Sequence, residues 1–118
     1  MARLRVGIDL VQVSRIAESI ARFGERFLAR VFTAGELAYA RARPERLAAR
    51  FAAKEAAKKA LALDGVSWRE LEVMRDANGA CELVLHGRAR AAAGDVALAL
   101  SLSHEGDFAT AVVIASDP

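Results

Sequence analysis

The chain has 118 residues, of which 54% are hydrophobic and 27% are charged. This length is typical of one domain, so we expect residues 1–118 to fold around a single apolar core, and the composition excludes a disordered chain. With one cysteine, Cys81, no intramolecular disulfide can form, and no group of Cys and His residues has the spacing of a zinc site. We expect a cytoplasmic protein without a membrane anchor, because no stretch approaches the roughly 20 apolar residues that a membrane span needs.

The positive charge is concentrated in the first half of the chain. Residues 1–63 contain 13 Lys and Arg against 6 Asp and Glu, a balance of +7, whereas residues 64–118 contain 4 against 9, a balance of −5. A basic surface attracts phosphates, nucleic acid or an acidic protein, and charge alone does not choose among these partners. Alternatively, the arginine-rich segments only keep an alanine-rich chain in solution.

The N-terminal segment predicts one strand and one helix. Residues 3–9 alternate polar and apolar side chains, as a half-buried strand does, and this pattern ends at Asp9. Ser14 is a good N-cap for a helix in which apolar residues recur at helical spacing, and Gly24 is a candidate break. Three arginines share one stripe of this helix, since at 100° per residue Arg22 and Arg26 each lie within about 20° of Arg15. Such a stripe beside an apolar edge suits docking of another molecule.

Two more helices follow. Thr33 and Glu36 have the spacing of a capping box, which predicts a second helix that ends before Pro44. Pro44 then begins the longest helix, about residues 44–63. Small residues form a ridge along this helix: Ala48, Ala52, Ala56, Ala60 and Leu63. A ridge of this kind allows another element to approach closely.

After the turn Asp64-Gly65 the pattern changes to strands. We expect strands near residues 68–75 and 80–86 around an Asn78-Gly79 turn, a short helix near 87–93, and strands near 96–104 and 108–115. This order of elements predicts an α+β fold.

Two acids could carry chemistry, Asp9 and Glu55. Each also has an ordinary structural explanation: Glu55 as the i,i+4 partner of Lys59 on a solvated helix face, and Asp9 as a loop acid. A basic stripe lies alongside on the same helix: Arg50, Lys54 and Lys58. This stripe suits a polyphosphate, and Mg²⁺ needs only one or two carboxylates together with phosphate oxygens and waters.

The segment 101–107 contains Ser103, His104 and Asp107 and invites comparison with a hydrolase. Neighbouring side chains of a strand point to opposite faces, so Ser103 and His104 cannot form a nucleophile-base pair in regular β conformation. His104 then either binds a phosphate or is an ordinary hydrogen-bonding residue at a strand end. His86 has no companion motif and receives no role.

Four groups of residues together resemble the successive signatures of holo-acyl-carrier-protein synthases. They are Gly7-Ile8-Asp9-Leu10 with Arg15-Ile16, Phe32-Thr33 with Glu36-Leu37, the segment 50–60 around Lys54-Glu55-Ala56, and Ser101-Leu102-Ser103-His104. A lone Gly-x-Asp motif is weak evidence for the family, but these four groups come in the family's order and cover nearly the whole chain. The segment 66–73 is also similar to the family's strand after the long helix.

The resemblance implies an α+β 4′-phosphopantetheinyl transferase fold, in which a small antiparallel sheet packs on the long helix. It implies a homotrimer with active sites between subunits. The implied reaction transfers 4′-phosphopantetheine from coenzyme A to a serine of an apo acyl carrier protein and releases adenosine 3′,5′-bisphosphate. The implied metal is Mg²⁺, and no nucleic acid or membrane takes part. Whether the carrier serves fatty-acid or polyketide synthesis stays open.

The resemblance also assigns site residues. Asp9 and Glu55 match the magnesium ligands, and Lys59 matches the lysine beside the transferred phosphate. The residues assigned to coenzyme A are Arg50, Lys54, Ser103 and His104. Carrier docking is assigned to Arg15, with Arg22 and Arg26 on the same predicted helix. The acceptor of the serine proton, Glu55 or a water on the metal, stays open.

One departure from the family lies after the long helix. The usual Gly-Thr-Gly turn is replaced by a shorter one, residues 61–66, with Gly65 as its single glycine, so nucleotide contacts there are expected to differ. Two alternatives belong to other classes. The first is a small basic RNA-binding domain. It is disfavoured because aromatic residues are only 6% of this chain and the phenylalanines of this chain occupy core-like helical positions. The second alternative is a member of the family that has no enzymatic activity and only binds a partner.

Overall fold

The computed structural model describes residues 3–118. In chain order the elements are β1 (Leu4–Gln12), α1 (Val13–Phe23), α2 (Glu25–Val31), α3 (Ala34–Ala40), α4 (Pro44–Leu61), a 3₁₀ turn (Trp68–Glu70), β2 (Leu71–Arg75), β3 (Cys81–Leu85), α5 (Gly87–Ala93), β4 (Ala97–Glu105) and β5 (Phe108–Ser116). The predicted α+β class is confirmed. No helix of this part of the chain has the length and apolar character needed to cross a membrane.

The strands form two antiparallel sheets. The larger sheet has the order β1-β5-β4, and the smaller one pairs β2 with β3. In the larger sheet β5 begins at Phe108, which lies opposite both Gln12 at the end of β1 and Glu105 at the end of β4. The turn between β4 and β5 therefore lies beside the place where β1 passes into α1.

Helix α4 packs directly on the larger sheet. Most of its alanines are fully buried, and a Cβ added at Gly7 of β1 would lie 2.0 Å from the Ala56 carbonyl oxygen and 2.8 Å from the Ala60 nitrogen. Backbone atoms cannot yield to such a contact, so only glycine allows β1 to lie this close to α4. The predicted close approach along the small-residue ridge is confirmed, and β1 is the element that makes it.

Several predicted boundaries need correction. The strand β1 continues past Asp9 to Gln12, so Asp9 lies within the strand. Helix α1 begins at Val13 with Gln12 as N-cap, so Ser14 is inside the first turn and does not cap the helix by its own side chain. Helix α4 ends at Leu61, because Ala62 adopts a left-handed conformation with φ of 52°.

Local capping motifs explain the other boundaries. The capping box of α3 is confirmed: the Thr33 hydroxyl accepts from the Glu36 N–H at 3.2 Å, and the Glu36 carboxylate accepts from the Thr33 N–H at 2.8 Å. A second capping box, which was not predicted, joins Ser67 and Glu70. It folds residues 68–70 into a 3₁₀ turn, so β2 begins at Leu71 and not near residue 68.

The outward face of β1 is apolar and exposed. Its even-numbered residues, Leu4, Val6, Ile8 and Leu10, are 63–72% exposed, whereas its odd-numbered residues face α4. Ile114 and Phe108 of the neighbouring strand β5 are 43% and 46% exposed. A continuous apolar row of this kind is typical of a surface that another chain covers.

Candidate active site

A cavity of about 750 Å³ opens where β1, α1 and the middle of α4 meet. Its charged lining residues are Asp9, Arg15, Glu55 and Lys59, and its apolar lining residues include Ile16, Phe27, Phe51 and Phe108. The structure therefore brings together both predicted metal ligands, the predicted phosphate-binding lysine and one predicted docking arginine.

Lys59 of α4 reaches across to β1. Its Nζ donates to the Asp9 carboxylate at 3.1 Å and to the Ile8 carbonyl at 2.9 Å. The Lys59 side chain is 55% exposed and that of Asp9 is 18% exposed, so the ion pair lies at the wall of the cavity. Lys59 forms this pair with Asp9 and forms none with Glu55, so the i,i+4 explanation of Glu55 does not apply.

The position of Asp9 is fixed by its neighbours. Gly7 holds β1 against α4, and the Thr110 hydroxyl of β5 donates to the Asp9 carbonyl at 2.8 Å. Asp9 thus projects from a strand that is bound on one side by pairing with β5 and below by α4. A carboxylate on such a rigid strand is well placed to hold a ligand in a defined geometry.

The carboxylates of Asp9 and Glu55 are the oxygen donors that a hard cation needs. Within residues 3–118 no group of three or more His, Cys, Asp or Glu could hold a metal ion. Two carboxylates beside an open cavity fit Mg²⁺, which is commonly bound by one or two carboxylates and completes its coordination with substrate phosphates and water. The residues present therefore fit the implied metal.

The three docking arginines do not share one helix. Arg15 and Arg22 belong to α1, but Gly24, with φ of 56°, ends that helix, and Arg26 lies in α2. The predicted single stripe is wrong in this respect. All three side chains are exposed, Arg22 lies 5.3 Å from the centre of the Phe23 ring, and Arg26 lines a second cavity of about 360 Å³.

Lys54 is fully buried, away from this cavity. Its three N–H groups donate to the Glu36 carboxylate at 2.8 Å, the Trp68 carbonyl at 3.0 Å and the Leu71 carbonyl at 2.6 Å. Burial lowers the pKa of Lys54, and the neighbouring Glu36 carboxylate opposes this effect. Because no donor is left for a phosphate, the geometry favours a structural role over the predicted contact with coenzyme A.

Arg50 is buried in a different cationic cluster. Its guanidinium lies 4.1 Å from the centre of the Tyr39 ring, and those of Arg46 and Arg75 lie 5.3 Å and 4.9 Å from the same ring. Burial lowers the pKa of Arg50, and its Nε has no hydrogen-bond partner among the described residues. At 100° per residue, Arg50 and Lys59 project from opposite faces of α4, so within one chain they do not share a site.

Ser103 and His104 lie on β4, exposed and outside the large cavity. Both are paired with β5, opposite Thr110 and Ala109, so their side chains project to opposite faces of the sheet. Asp107 is occupied elsewhere, because its carboxylate accepts hydrogen bonds from Ser14. The three residues of the apparent hydrolase motif are therefore not assembled.

Sequence reasoning missed two contacts that shape this region. The Ser14–Asp107 contact joins residues 93 positions apart, and the buried Glu36–Lys54 pair joins α3 to α4. Glu36 carried a signal as the capping residue of α3 and as part of a family signature, and neither signal pointed to Lys54. Neither pair could be found from local spacing, because only the folded chain brings its members together.

The fold and this cavity define a small α+β protein in which two carboxylates and two cations surround one open cleft. Preorganised charges of this kind suit phosphoryl transfer. A sequence model described as the 4′-phosphopantetheinyl transferase superfamily matches residues 5–113.

Relatives agree with this class. A holo-[acyl-carrier-protein] synthase of Koribacter versatilis is 46% identical, with 97% of this chain and 98% of that protein covered. The synthase of Paramagnetospirillum magneticum is 51% identical, with 92% of each chain covered. This chain belongs to the holo-[acyl-carrier-protein] synthase family of the 4′-phosphopantetheinyl transferase superfamily.

Solved structures are similar along the whole chain. The ACPS–CoA complex of Chronobacterium ammoniagenes has a TM-score of 0.87 and 38% identity, with 96% of both chains covered. The holo-[acyl-carrier-protein] synthase of Helicobacter pylori in complex with coenzyme A has a TM-score of 0.86 and 29% identity, with 93% of this chain and 98% of that chain covered.

Proposed function

We propose that this protein is a holo-acyl-carrier-protein synthase that acts as one domain in the cytoplasm. A serine hydroxyl of an apo acyl carrier protein attacks the β-phosphorus of coenzyme A. The bond from that phosphorus to the bridging oxygen breaks, which forms a phosphodiester on the carrier and releases adenosine 3′,5′-bisphosphate. The observation that carries this proposal is the single cavity lined by Asp9, Glu55 and Lys59 in a chain of this family.

The charged residues of the cavity have separate roles. Lys59 neutralises negative charge on the transferred phosphoryl group, and its bond to the Ile8 carbonyl holds its ammonium beside the cavity. Asp9 and Glu55 would hold Mg²⁺, which supplies further neutralisation of the pyrophosphate when bound. Of these two carboxylates, Asp9 already pairs with Lys59, whereas Glu55 forms no ion pair within residues 3–118. Either Glu55 or a water on the metal would accept the proton of the serine.

The active form is a homotrimer with sites between subunits. The exposed apolar row of β1, together with Ile114 and Phe108, supports a subunit interface, since a single chain leaves it in water. The separation of Arg50 and Lys59 on opposite faces of α4 supports a shared site. One coenzyme A would then contact Lys59 of one subunit and Arg50, Ser103 and His104 of its neighbour.

The carrier docks on α1 and α2. Arg15 lines the cavity, and Arg22 and Arg26 continue the exposed positive surface away from it. Exposed apolar side chains, including Phe23 at 51%, lie among these arginines. Such a surface fits an acidic helix of the carrier, with an apolar centre and charges around it.

Mass spectrometry of the carrier tests this function. The protein is incubated with coenzyme A, Mg²⁺ and an apo carrier, and the carrier should gain the mass of one 4′-phosphopantetheine. A carrier whose acceptor serine is replaced by alanine is the control and should gain nothing. Carrier binding without any mass change would instead support the alternative of a family member that only binds its partner.

A further inference from the structure

The first turn of α1 is held by a residue from a distant hairpin turn. The N-cap Gln12 forms no side-chain hydrogen bond with the helix, and the first turn of α1 contains no acidic residue. Asp107, in the turn between β4 and β5, supplies both the hydrogen-bond acceptor and the negative charge. Its Oδ1 accepts from the Ser14 N–H at 2.9 Å, its Oδ2 accepts from the Ser14 hydroxyl at 2.7 Å, and its carbonyl accepts from the Val13 N–H at 2.8 Å.

These contacts make Asp107 an N-terminal cap for α1. The first N–H groups of a helix have no partner within the helix, and this end carries partial positive charge. Asp107 satisfies two of these N–H groups and places its negative charge at the positive end. Gly106, with φ of 57°, allows the turn that presents Asp107, since glycine adopts this conformation without strain.

The direction of α1 matters for the active site because no loop separates it from β1. Gln12 is the last residue of β1 and Val13 is the first of α1. Asp9 on the strand and Arg15 on the helix line the same cavity. The angle at which α1 leaves β1 therefore sets where Arg15 lies relative to the reacting groups. Asp107 and the packing of the buried Ile16 both constrain that angle.

We propose that Asp107 is a positioning residue for the carrier protein: by capping α1 it fixes Arg15 beside the active-site cavity. This inference rests on the proposed function. Asp107 touches neither coenzyme A nor the reacting groups in this scheme, and it acts only through Ser14 and Val13.

Net charge alone predicts the opposite effect. Asp107 is an exposed acid near a basic docking surface, so its removal would favour an acidic carrier if only long-range attraction mattered. Loss of the cap would instead weaken carrier binding. The sign of the change in KM for the carrier therefore separates positioning from electrostatics.

Steady-state kinetics of four proteins tests the inference: the wild type, Asp107→Ala, Asp107→Asn and Glu105→Ala. Glu105→Ala is the matched control, since it removes the same charge two residues away, at the end of β4, and Glu105 forms no hydrogen bond with α1 among residues 3–118. We expect Asp107→Ala to raise KM for the carrier about fivefold, as the usual cost of a lost cap predicts, with kcat and KM for coenzyme A nearly unchanged. Asparagine keeps an oxygen acceptor and should recover most of the loss, whereas Glu105→Ala should leave KM for the carrier equal or lower.

Hydrogen exchange of the Ser14 amide gives a second readout and should be faster in Asp107→Ala than in the wild type. The positioning role is overturned if Asp107→Ala and Glu105→Ala change KM for the carrier alike, or if Asp107→Ala raises both KM values equally. Wild-type constants for Asp107→Ala would refute the positioning role alone. A wild-type protein that transfers nothing would refute the proposed function and the positioning role together.

Discussion

Replacement of Lys54 by methionine separates a structural role from a role in binding coenzyme A. Methionine keeps most of the side-chain volume but removes the ammonium, which donates to Glu36 and to two backbone carbonyls at 2.6–3.0 Å with no exposed surface. The Glu36 carboxylate then stays buried with only the Thr33 and Val73 N–H groups as donors. Breaking a buried ion pair by removing one partner costs about 3–5 kcal/mol.

This loss is large compared with the total stability of about 5–15 kcal/mol that a domain has. For a chain of this length it lowers Tm by at least about 10 °C. Urea and thermal unfolding followed by circular dichroism measure the change, and KM for coenzyme A is measured at a temperature where the variant is folded. We expect the unfolding free energy to fall and this KM to stay unchanged.

Two further variants sharpen the comparison. Lys58→Met makes the same substitution one turn later, where the ammonium lies 3.4 Å from the centre of the Trp68 ring, and should cost only about 1 kcal/mol. The double variant Glu36→Gln with Lys54→Met removes both charges and should recover part of the stability. If Lys54→Met unfolds like the wild type and raises KM for coenzyme A, the ammonium faces the ligand and the structural interpretation is refuted.

Three further predictions concern the strand, the pH dependence and the docking surface. Gly7→Ala places a Cβ against the Ala56 carbonyl and should cost about 3 kcal/mol or more in unfolding free energy, whereas Gly35→Ala, which meets only a side-chain oxygen at 3.2 Å, should cost less than about 1 kcal/mol. Burial alone would raise the pKa of Glu72, but hydrogen bonds from Thr33 and His86 hold this pKa below its ordinary value of 4.5. The stability that these hydrogen bonds contribute is therefore complete above pH 4.5 and is lost as the pH falls below 4.5. In denaturant titrations at neutral and acid pH, the unfolding free energy of Glu72→Gln should therefore fall less with decreasing pH than that of the wild type. Arg15→Glu and added salt should each raise KM for the carrier more than KM for coenzyme A, and equal increases in both constants would contradict docking on α1.

The sequence predicted elements well where the signal was local. The capping box at Thr33 and Glu36, the proline that begins α4 and the glycine that ends α1 all act through their immediate neighbours. The large cavity was also anticipated in part, since Asp9, Glu55 and Lys59 were chosen as one chemical group and do line one cleft.

Burial of charged residues could not be predicted in the same way. Alanines lie on several faces of α4, so the pattern does not say which face is covered, and the stripe of Arg50 and Lys54 was predicted to be a surface that binds a polyphosphate. The structure covers this stripe with α3, the 3₁₀ turn and β2, whose acceptors surround Lys54. Only tertiary contacts distinguish this stripe from the exposed Lys59.

Subunit mixing tests the shared site that the two faces of α4 imply. Lys59→Ala removes a cation from the large cavity, and His104→Ala changes an exposed residue of β4 that lies outside that cavity. If each site takes Lys59 from one subunit and His104 from the next, neither variant alone retains an intact site.

When the two variants are unfolded together and refolded at equal amounts, random trimers should contain intact sites at about one quarter of the interfaces, so about one quarter of wild-type transfer should return. The separately refolded variants, mixed only afterwards, are the control and should stay inactive. Sites formed within one subunit would give no recovery under either condition, because every subunit carries one of the two substitutions. That result would leave the apolar face of β1 as an interface but would mean that Lys59 and His104 act within the same subunit, which would refute the shared site.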